Sequence, residues 1–356
     1  MSVKLSFIGA AGIPNRYGGF ESFLEHCAPV IAAHGIKTRV TCDARMYADD
    51  LSADFRGVTR EFISVRANGA ASILHDLLAF FRVFAHSTHI TVLGVSGGPW
   101  FPLFRLMCAL TGKRLAVNID GVEWRRTKFS TSKRRVLRTF DWLAQRFAHT
   151  VIYDSEGLRE FVLQQALGRS SCIAYPGDHV RRIPDASKER ASCLTVCRIE
   201  PENNLELLIQ GFLESTMEKY TIIGNWNHSD YARALRERYS NEPRLALLDP
   251  IYDPDKLAQA RERCDVYLHG HSVGGTNPSL VEMLFYDCRI LCYDVSFNRH
   301  TAQDCASYFL GSKALAALLD APASTAHETA RHQLRERYSA ARIAAAYIEV
   351  LTGEAP

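Results

Sequence analysis

The clearest chemical pattern lies in HGHSVGGTNPSLVE, residues 269–282, where a polar glycine loop follows an apolar run and precedes a helical pattern. Backbone N–H groups and small polar side chains at the start of a helix suit phosphate oxygens. Pro278 fits the first turn of that helix. The pattern predicts a phosphate-binding loop whose ligand contacts are His271, Gly274, Gly275, Thr276 and Asn277.

Glu282 follows this loop, about one turn into the predicted helix, among the apolar residues Leu280, Val281 and Met283. A carboxylate in such surroundings needs a hydrogen-bonding or charged partner. The hydroxyl pair of a ribose or another sugar would supply one. Glu282 is therefore predicted to hold a ligand rather than to lie on a solvated helix face.

A second candidate loop is RIEPENN, residues 198–204, at the end of another apolar run. Arg198 is suited to a diphosphate, because its planar guanidinium makes paired charge-assisted hydrogen bonds. Asn203 and Asn204 have two open roles, contact with the ligand or capping of the next helix. Capping is expected for at least one of them.

The first apolar run leads into IGAAGIPNRYGGFE, residues 8–21. Its glycines allow positive φ angles and close approach of a ligand to the backbone. The G-x-G-x-x-G spacing of a dinucleotide site is absent, which disfavours a dehydrogenase. An ordinary strand-to-helix turn remains open for this segment. The glycines that carry the prediction are Gly9, Gly12, Gly18 and Gly19.

Two acidic residues lie in VNIDGVEW, residues 117–124. Asp120 comes directly after a predicted strand, where an active-site carboxylate is expected, although a helix N-cap is the alternative. Glu123 lies three residues further on, and its role is open between ligand contact and structure.

Apolar strand patterns and amphipathic helix patterns alternate along the chain, as in doubly wound α/β domains. No antiparallel run is expected. The strands are predicted at 3–10, 37–44, 89–95, 114–121, 149–155, 171–177, 193–199, 220–225, 244–251, 265–270 and 289–295. The helices are predicted at 21–35, 97–112, 156–168, 204–214, 231–239, 253–264, 277–287, 313–320 and 331–353.

The length of 356 residues is typical of two domains. A polar stretch with a proline, 178–190, is predicted as the linker. We expect an N-terminal Rossmann-like domain over 1–178, a C-terminal Rossmann-like domain over 179–333, and a C-terminal helix over 334–356 that packs back on the first domain. The fold class is α/β, with the two domains facing a cleft.

The composition, 47% hydrophobic and 23% charged with a net charge of +3, is that of an ordinary globular protein. So small a charge gives no reason to expect a nucleic-acid partner. The ten cysteines are expected as buried reduced thiols, and their spacing predicts no structural metal. Neither a signal peptide nor a membrane span is found, so a cytoplasmic location is expected.

Residues 125–138, RRTKFSTSKRRVLR, contain seven Arg or Lys residues and no acid. Two interpretations of this run remain open. It is either a solvated helix face or a patch that docks on anionic lipid or on a lipid-pyrophosphate acceptor at the inner face of the cytoplasmic membrane. The aromatic segment near Trp100 and Phe101 is expected to add to it.

Taken together, these motifs resemble the GT-B glycosyltransferases of family 4, and most closely the bacterial branch of rhamnosyltransferases that build surface polysaccharides. The resemblance runs over nearly the full length. The segments that carry it are GIPNRYGGFE, NIDGVEWRRTK, RIEPENN, GGTNPSLVEM and YDVSFNRHT. It implies the GT-B fold and a retaining transfer from a nucleotide-diphosphate sugar, dTDP-rhamnose in this branch, with no metal and no other cofactor.

The resemblance also implies roles for particular residues. Arg198 stabilises the leaving diphosphate and Glu282 holds the ribose, while Asp120 orients the acceptor. The family's lysine five residues after the arginine is replaced by Asn203, and its first glutamate by Gly274. The acceptor, a glycan or a polyprenyl-pyrophosphate-linked saccharide, is expected at Arg16, Tyr17, Gly18, Gly19, Phe20 and Glu123.

Two other functions remain open at this point. One is a GT-B transferase with a different donor, such as a UDP-hexose. The other is a module that binds a nucleotide sugar without turnover, which the missing lysine and first glutamate would suit.

Overall fold

The fold is described from a computed structural model of the chain. It describes residues 3–119, 121–125, 129–183, 186–322 and 328–353. The chain forms two compact units. The first unit consists of residues 1–176 together with 339–356, and the second unit of residues 177–338.

The first unit is built on an eight-stranded sheet with the order β3-β4-β2-β1-β5-β6-β7-β8. All neighbouring strands are parallel except β3 and β4, which form a short antiparallel pair at one edge. The strands are β1 Lys4–Ile8, β2 Lys37–Asp43, β3 Asp54–Phe55, β4 Val58–Ile63, β5 His89–Leu93, β6 Arg114–Asn118, β7 Thr150–Tyr153 and β8 Ser170–Cys172.

Helices cover both faces of this sheet, which is why its central strands read as nearly continuous apolar runs. Successive residues of β1 point to opposite faces: Phe7 joins a core with α1 and α12, and Ile8 joins a core with α2, α3 and α4. The helices of the first unit are α1 Gly19–Ala33, α2 Ser72–Phe84, α3 Phe101–Thr111, α4 Thr131–Phe147 and α12 Ala340–Thr352.

The second unit contains a six-stranded, fully parallel sheet with the order β11-β10-β9-β12-β13-β14. Its strands are β9 Ser192–Val196, β10 Lys219–Ile223, β11 Leu245–Leu248, β12 Val266–His269, β13 Arg289–Tyr293 and β14 Ser307–Phe309. Its helices are α5 Leu205–Leu213, α6 Asp230–Tyr239, α7 Pro254–Arg263, α8 Pro278–Met283, α9 Ser296–Ala302, α10 Ser312–Asp320 and α11 Glu328–Arg337.

The predicted helix over 156–168 is wrong. Two short 3-10 turns, Glu156–Phe161 and Gln164–Arg169, occupy that segment. The Ser155 side chain caps the first turn at the Gly157 amide, and the first turn ends at Val162, which has an extended backbone.

One short antiparallel pair had not been predicted, that of the two-residue strand β3 with β4. The strands β3, β4 and β14 and the helices α2, α4 and α9 had not been predicted as elements. β3 and β14 are edge strands of two and three residues, too short for a periodic pattern to be visible. The helices α2 and α4 are clearly amphipathic, and their periodicity had been overlooked.

The stretch 178–190 was predicted as a linker, and its residues 178–183 pack within the second unit. Arg182 donates to Glu262 and to Asp287, and the Tyr286 hydroxyl donates to the backbone carbonyl of Arg181. The predicted final helix is divided: α11 ends at Arg337, and α12 begins after Ser339, whose side chain caps it.

None of the ten cysteines, all of which lie in the described ranges, forms a disulfide, and eight of them are buried. No helix in the described ranges has the length and apolar character that a membrane span requires.

Candidate functional site

The two candidate loops of the second unit follow neighbouring strands. β9 and β12 pair in parallel, with Val266 opposite Cys193 and Tyr267 opposite Leu194. Their carboxyl ends therefore meet at one edge of the sheet. Ligands of open α/β sheets bind at this edge. The loop after β9 carries Arg198, and the loop after β12 begins at Gly270.

Asn203 joins these two loops through its buried side chain. Its Nδ2 donates to the backbone carbonyl of Arg198 at 2.7 Å, and its Oδ1 lies 3.0 Å from Nδ1 of His271. Ser272 adds two bonds, because its amide and its hydroxyl both donate to the carbonyl of Glu202. Asn203 therefore fixes the position of the loop that bears the arginine.

Gly270 is required where the two loops touch. A Cβ at this position would lie 2.1 Å from the carbonyl oxygen of Asn203, which no side chain could tolerate without backbone movement. Asn204 adopts a left-handed conformation and donates its amide to the Gly270 carbonyl at 2.8 Å. Its side chain does not cap α5, so the capping role expected for one of the two asparagines is wrong.

The glycine loop leads directly into α8. Gly274 has a φ of +132°, and a Cβ there would lie 3.1 Å from Nε2 of His271, so these two residues are close neighbours. Gly275 and Thr276 are buried. The side chain of Asn277 accepts a hydrogen bond from the Ser279 amide at 2.9 Å and thereby caps the helix.

Glu282, on α8, has protein partners for its carboxylate. Arg261 of α7 donates to one oxygen, and Nε2 of His179 lies 3.2 Å from the other. The side chains of Glu282 and Arg261 are only 15% and 8% exposed. Burial alone would raise the pKa of Glu282, but the charge of Arg261 and the hydrogen bond from His179 lower it to about 2. The carboxylate is ionised at neutral pH and held in one orientation.

Arg198 is the exposed cation of this region. Within the described part of the chain, no carboxylate pairs with its guanidinium, while its backbone is fixed by Asn203. Most other arginines of the second unit, such as Arg236 and Arg238, are paired with acidic side chains. At the carboxyl end of a central strand, a guanidinium without an acidic partner on a backbone held in place by Asn203 is suited to an anionic ligand.

The last residue of β12, His269, is buried, and its Nε2 has no hydrogen-bond partner among the described residues. Burial and the neighbouring ring of His271 hold its pKa well below the ordinary value, so it is neutral. The ring of His271 also packs edge-on against Phe297 of α9. The ring of His271 therefore lies between His269 and Gly274 of the glycine loop.

In the first unit, the loop after β1 packs closely against β5 and β2. Gly9 and Gly12 have φ angles of +92° and +127°, as expected from the sequence, and Cβ atoms there would collide with Leu93 and Cys42. Gly18 is extended, and Gly19 is the first residue of α1, so neither needs a positive φ.

The residues predicted to bind the acceptor differ in how far they are free to do so. Arg16 is held by a bidentate pair with Asp49, at 2.5 and 2.9 Å. Tyr17 is 65% exposed. The ring of Phe20 packs against Tyr175, with the centroids 6.2 Å apart. Tyr17 is therefore the side chain of this loop that is most available to a ligand.

Asp120, predicted as catalytic, lies outside the described residues. The strand β6 ends two residues earlier, at Asn118, whose buried side-chain amide donates to the Tyr347 hydroxyl at 2.8 Å. Glu123 begins a 3-10 turn that runs to Arg125. The carboxyl end of β6 is thereby anchored to α12.

The partners of Glu282 were missed from the sequence. Arg261 occupies a buried position of α7, one turn after the buried Ala258. A charged residue on the apolar face of a helix is a readable signal for a buried ion pair. His179 gives no such signal, because it lies in an irregular segment.

A family model described as a domain of unknown function (DUF1972) matches residues 3–178. No curated protein matches the sequence. Among solved structures, the chain is similar to sucrose-phosphate synthase from Thermosynechococcus elongatus, at 12% identity and a TM-score of 0.77, with 98% of each chain covered.

Two further similar structures cover nearly all of the chain. The catalytic domain of starch synthase IV from Arabidopsis thaliana, bound to ADP and acarbose, has 11% identity, a TM-score of 0.71 and 99% coverage of both chains. HepE from Anabaena, solved with UDP and glucose, has 16% identity and a TM-score of 0.63, covering 98% of this chain and 96% of its own. These neighbours are GT-B glycosyltransferases, and the chain has the GT-B fold.

Proposed function

We propose that this protein is a glycosyltransferase that moves a sugar from a nucleotide-diphosphate donor to an acceptor hydroxyl. The observation that carries the proposal is the arrangement of Arg198, exposed and without an acidic partner among the described residues, on a loop that Asn203 ties to the glycine loop. In this proposal, the second unit of the GT-B fold binds the donor diphosphate at Arg198 and the ribose at Glu282.

In the proposed step, the acceptor oxygen forms a bond to the anomeric carbon of the donor sugar. The bond from that carbon to the β-phosphate oxygen breaks, and its electron pair stays on the diphosphate. Arg198 and the amides of Gly275 and Thr276 stabilise the negative charge that develops there. The acceptor proton passes to a phosphate oxygen. Arg198 and Glu282 are the two charged residues assigned to the donor. The other residues assigned to it are His271, Gly274, Gly275, Thr276, Asn277 and Asn203.

Glu282 is assigned to the ribose hydroxyls. Its carboxylate is already ionised and oriented by Arg261 and His179. An ionised carboxylate has about four lone-pair sites, so these two partners leave acceptor capacity for a hydroxyl pair. Because the carboxylate of Glu282 is already held in position, it would lose little conformational freedom when the ribose binds, which favours affinity.

Asn203 and Asn277 are assigned to the donor indirectly. The side chain of Asn203 holds the loops together, and that of Asn277 caps α8. We assign the acceptor to the first unit, with Tyr17 as its exposed contact and with Asp120 orienting the reacting hydroxyl. Arg16 contributes through its pair with Asp49, which fixes the loop.

For the finer assignment we propose the family 4 rhamnosyltransferase branch, with dTDP-rhamnose as donor. The transfer would proceed with retention and without a metal ion, onto a glycan or lipid-linked saccharide of a bacterial surface polysaccharide. The motif resemblance supports this assignment. A UDP-hexose donor is the second candidate, because the similar Anabaena HepE was solved with UDP-glucose.

We further propose that the protein acts in the cytoplasm, in contact with the inner face of the membrane. The basic helix α4 supports this, and the apolar neighbours differ from those expected. Phe101 is buried and Trp100 is half-buried, with its indole N–H donating to the Ile73 carbonyl. The exposed apolar side chains of α3 are instead Leu103, Leu106 and Leu110.

The test is transfer and hydrolysis of a panel of nucleotide sugars, led by dTDP-rhamnose and UDP-glucose, with thermal shift as the binding readout. The variant Arg198→Ala should bind the donor about 10- to 100-fold more weakly, the usual loss for one charge-assisted contact. Because Arg198 is exposed, its removal should leave the melting temperature of the free protein unchanged.

Arg238→Ala is the matched control, because it removes an exposed arginine of the same unit that pairs with Glu206. Donor binding should be unchanged in this variant. Nucleotide binding without any sugar release would support the non-catalytic module instead. Equal donor affinity in Arg198→Ala and the native protein would refute the assigned diphosphate site.

A further inference from the structure

A cavity of about 510 Å³ lies at the amino ends of the strands in the first unit, at the opposite edge of the sheet from the loops discussed above. Arg114 is the first residue of β6, and His149 directly precedes β7. Arg169 ends the turn before β8, while Arg105 and Arg146 come from α3 and α4. These four arginines and the histidine line the cavity.

No carboxylate in the described part of the chain forms an ion pair with any of the four arginines. Arg169 is anchored by backbone carbonyls instead, donating to Ala148 and, at 2.9 Å, to Gln145. Its remaining positive charge is not neutralised by these bonds. Four like charges around one cavity repel one another, and a protein retains such an arrangement at a cost in stability.

The pKa of His149 is affected by the same positive charges. Burial first, and then the charges of Arg105, Arg114 and Arg169, lower the pKa of His149 to about 4. Burial and the charges of Arg105 and Arg146 also lower the pKa of Arg169. Both pKa shifts have the direction expected of a cluster of positive side chains that no negative side chain neutralises.

We propose that this cavity binds a pyrophosphate group, as a second anion site of the protein that is separate from the donor site. Guanidinium groups fit phosphate oxygens bidentately, and four of them match the charge of two linked phosphates better than that of a single monoanion. The volume lies in the range of small-molecule sites. The proposal rests on the first unit alone and not on the proposed transfer reaction.

Isothermal titration with inorganic pyrophosphate at about 0.15 M salt tests the site, since weak surface attraction is screened under these conditions. The double variant Arg105→Ala/Arg114→Ala should lose one equivalent of bound pyrophosphate, or bind it at least about tenfold more weakly. Neither side chain has a hydrogen-bond partner among the described residues, so the variant should fold.

The control Arg159→Ala removes an exposed arginine of the same unit that lies outside the cavity, and it should bind as the native protein does. Pyrophosphate bound at the predicted donor site would be weakened by Arg198→Ala instead. If the arginine pair in the cavity can be removed without losing an equivalent, the proposal is wrong. Binding of sulfate as tight as that of pyrophosphate would also overturn the two-phosphate assignment.

The source of the pyrophosphate group is resolved by a second titration. Vesicles of neutral lipid, with and without a lipid pyrophosphate, are compared with the free ion. Binding of the free ion supports a soluble ligand, and binding only to the pyrophosphate-bearing vesicles supports a lipid headgroup. Each result counts for the site only if the double variant abolishes it.

Discussion

Replacing Glu282 by glutamine removes one charge from a buried ion pair and changes little else in shape. In the native protein, Arg261 and His179 both contact the carboxylate. In Glu282→Gln, the guanidinium of Arg261 stays buried without a counter-charge. Breaking a buried pair in this way is strongly destabilising, by about 3–5 kcal/mol.

The pKa of Glu282 gives a separate measure of the same interaction. A fall of the pKa from its ordinary value of 4.5 to about 2 corresponds to about 3 kcal/mol of stability at pH 7, since one pKa unit is about 1.4 kcal/mol. Because the folded pKa is lowered, this contribution is complete above pH 4.5 and is lost as the pH falls toward 2. At pH 3.5, about 2 kcal/mol should remain.

The assay is urea unfolding of the native protein and of Glu282→Gln at pH 7 and pH 3.5. A signal from the second unit is required, because the two units need not unfold together. Trp226, which is fully buried there, provides one by fluorescence after replacement of the other three tryptophans. We expect a difference of about 3 kcal/mol at pH 7 that shrinks by about 1 kcal/mol at pH 3.5. A cost below about 0.5 kcal/mol, or one that is independent of pH, would refute the buried-pair interpretation.

Three further predictions concern the loops, the β6 anchor and the basic helix. Gly270→Ala should destabilise the second unit by about 1–3 kcal/mol in urea unfolding and weaken donor binding, whereas Gly311→Ala, where a Cβ meets open space, should cost under about 0.5 kcal/mol. Tyr347→Phe removes the hydroxyl that accepts from Asn118 and should cost about 1–3 kcal/mol, measured as the unfolding free energy of the first unit. Arg135→Glu should weaken binding to anionic vesicles about 30-fold in sedimentation, from about 1 kcal/mol for each charge; unchanged binding would remove the membrane proposal.

The choice of Arg135 follows from the structure. Arg134, which lies beside it in the sequence, is half-buried and donates to the Trp124 carbonyl at 2.8 Å, so its reversal would disturb the fold. Arg135 is exposed, and its side chain has no partner in the described ranges. The sequence alone treats these two arginines as equivalent, because the run carries no signal for which side chain packs inward.

The sequence predicted the main parallel strands because buried strands of such sheets are continuous apolar runs with glycine at their ends. It also predicted the α/β class and the GT-B fold. It failed where the local signal is misleading or too short to be visible. Residues 156–168 have helical periodicity, yet they form two 3-10 turns. The edge pair β3 and β4 is too short for an alternating pattern to be visible.

For the candidate site, the sequence indicated which residues have a chemical role but not which residues contact them. Glu282 was expected to be buried and in need of a partner; its side chain is 15% exposed and has two partners. Its partners could not be found from the sequence, since Arg261 and His179 lie 21 and 103 residues away along the chain. The bridging role of Asn203 was hidden for the same reason, because His271 lies 68 residues away.

The return of the chain to the first unit has a consequence for biosynthesis. Tyr347 of α12 stacks on Phe23 at 4.6 Å and lies among the most buried side chains of that core. Since α12 follows the inserted unit 177–338 along the chain, the ribosome must make that whole unit and then α12 before this core can close. A fragment ending near residue 178 would leave this apolar surface uncovered and would be prone to aggregate.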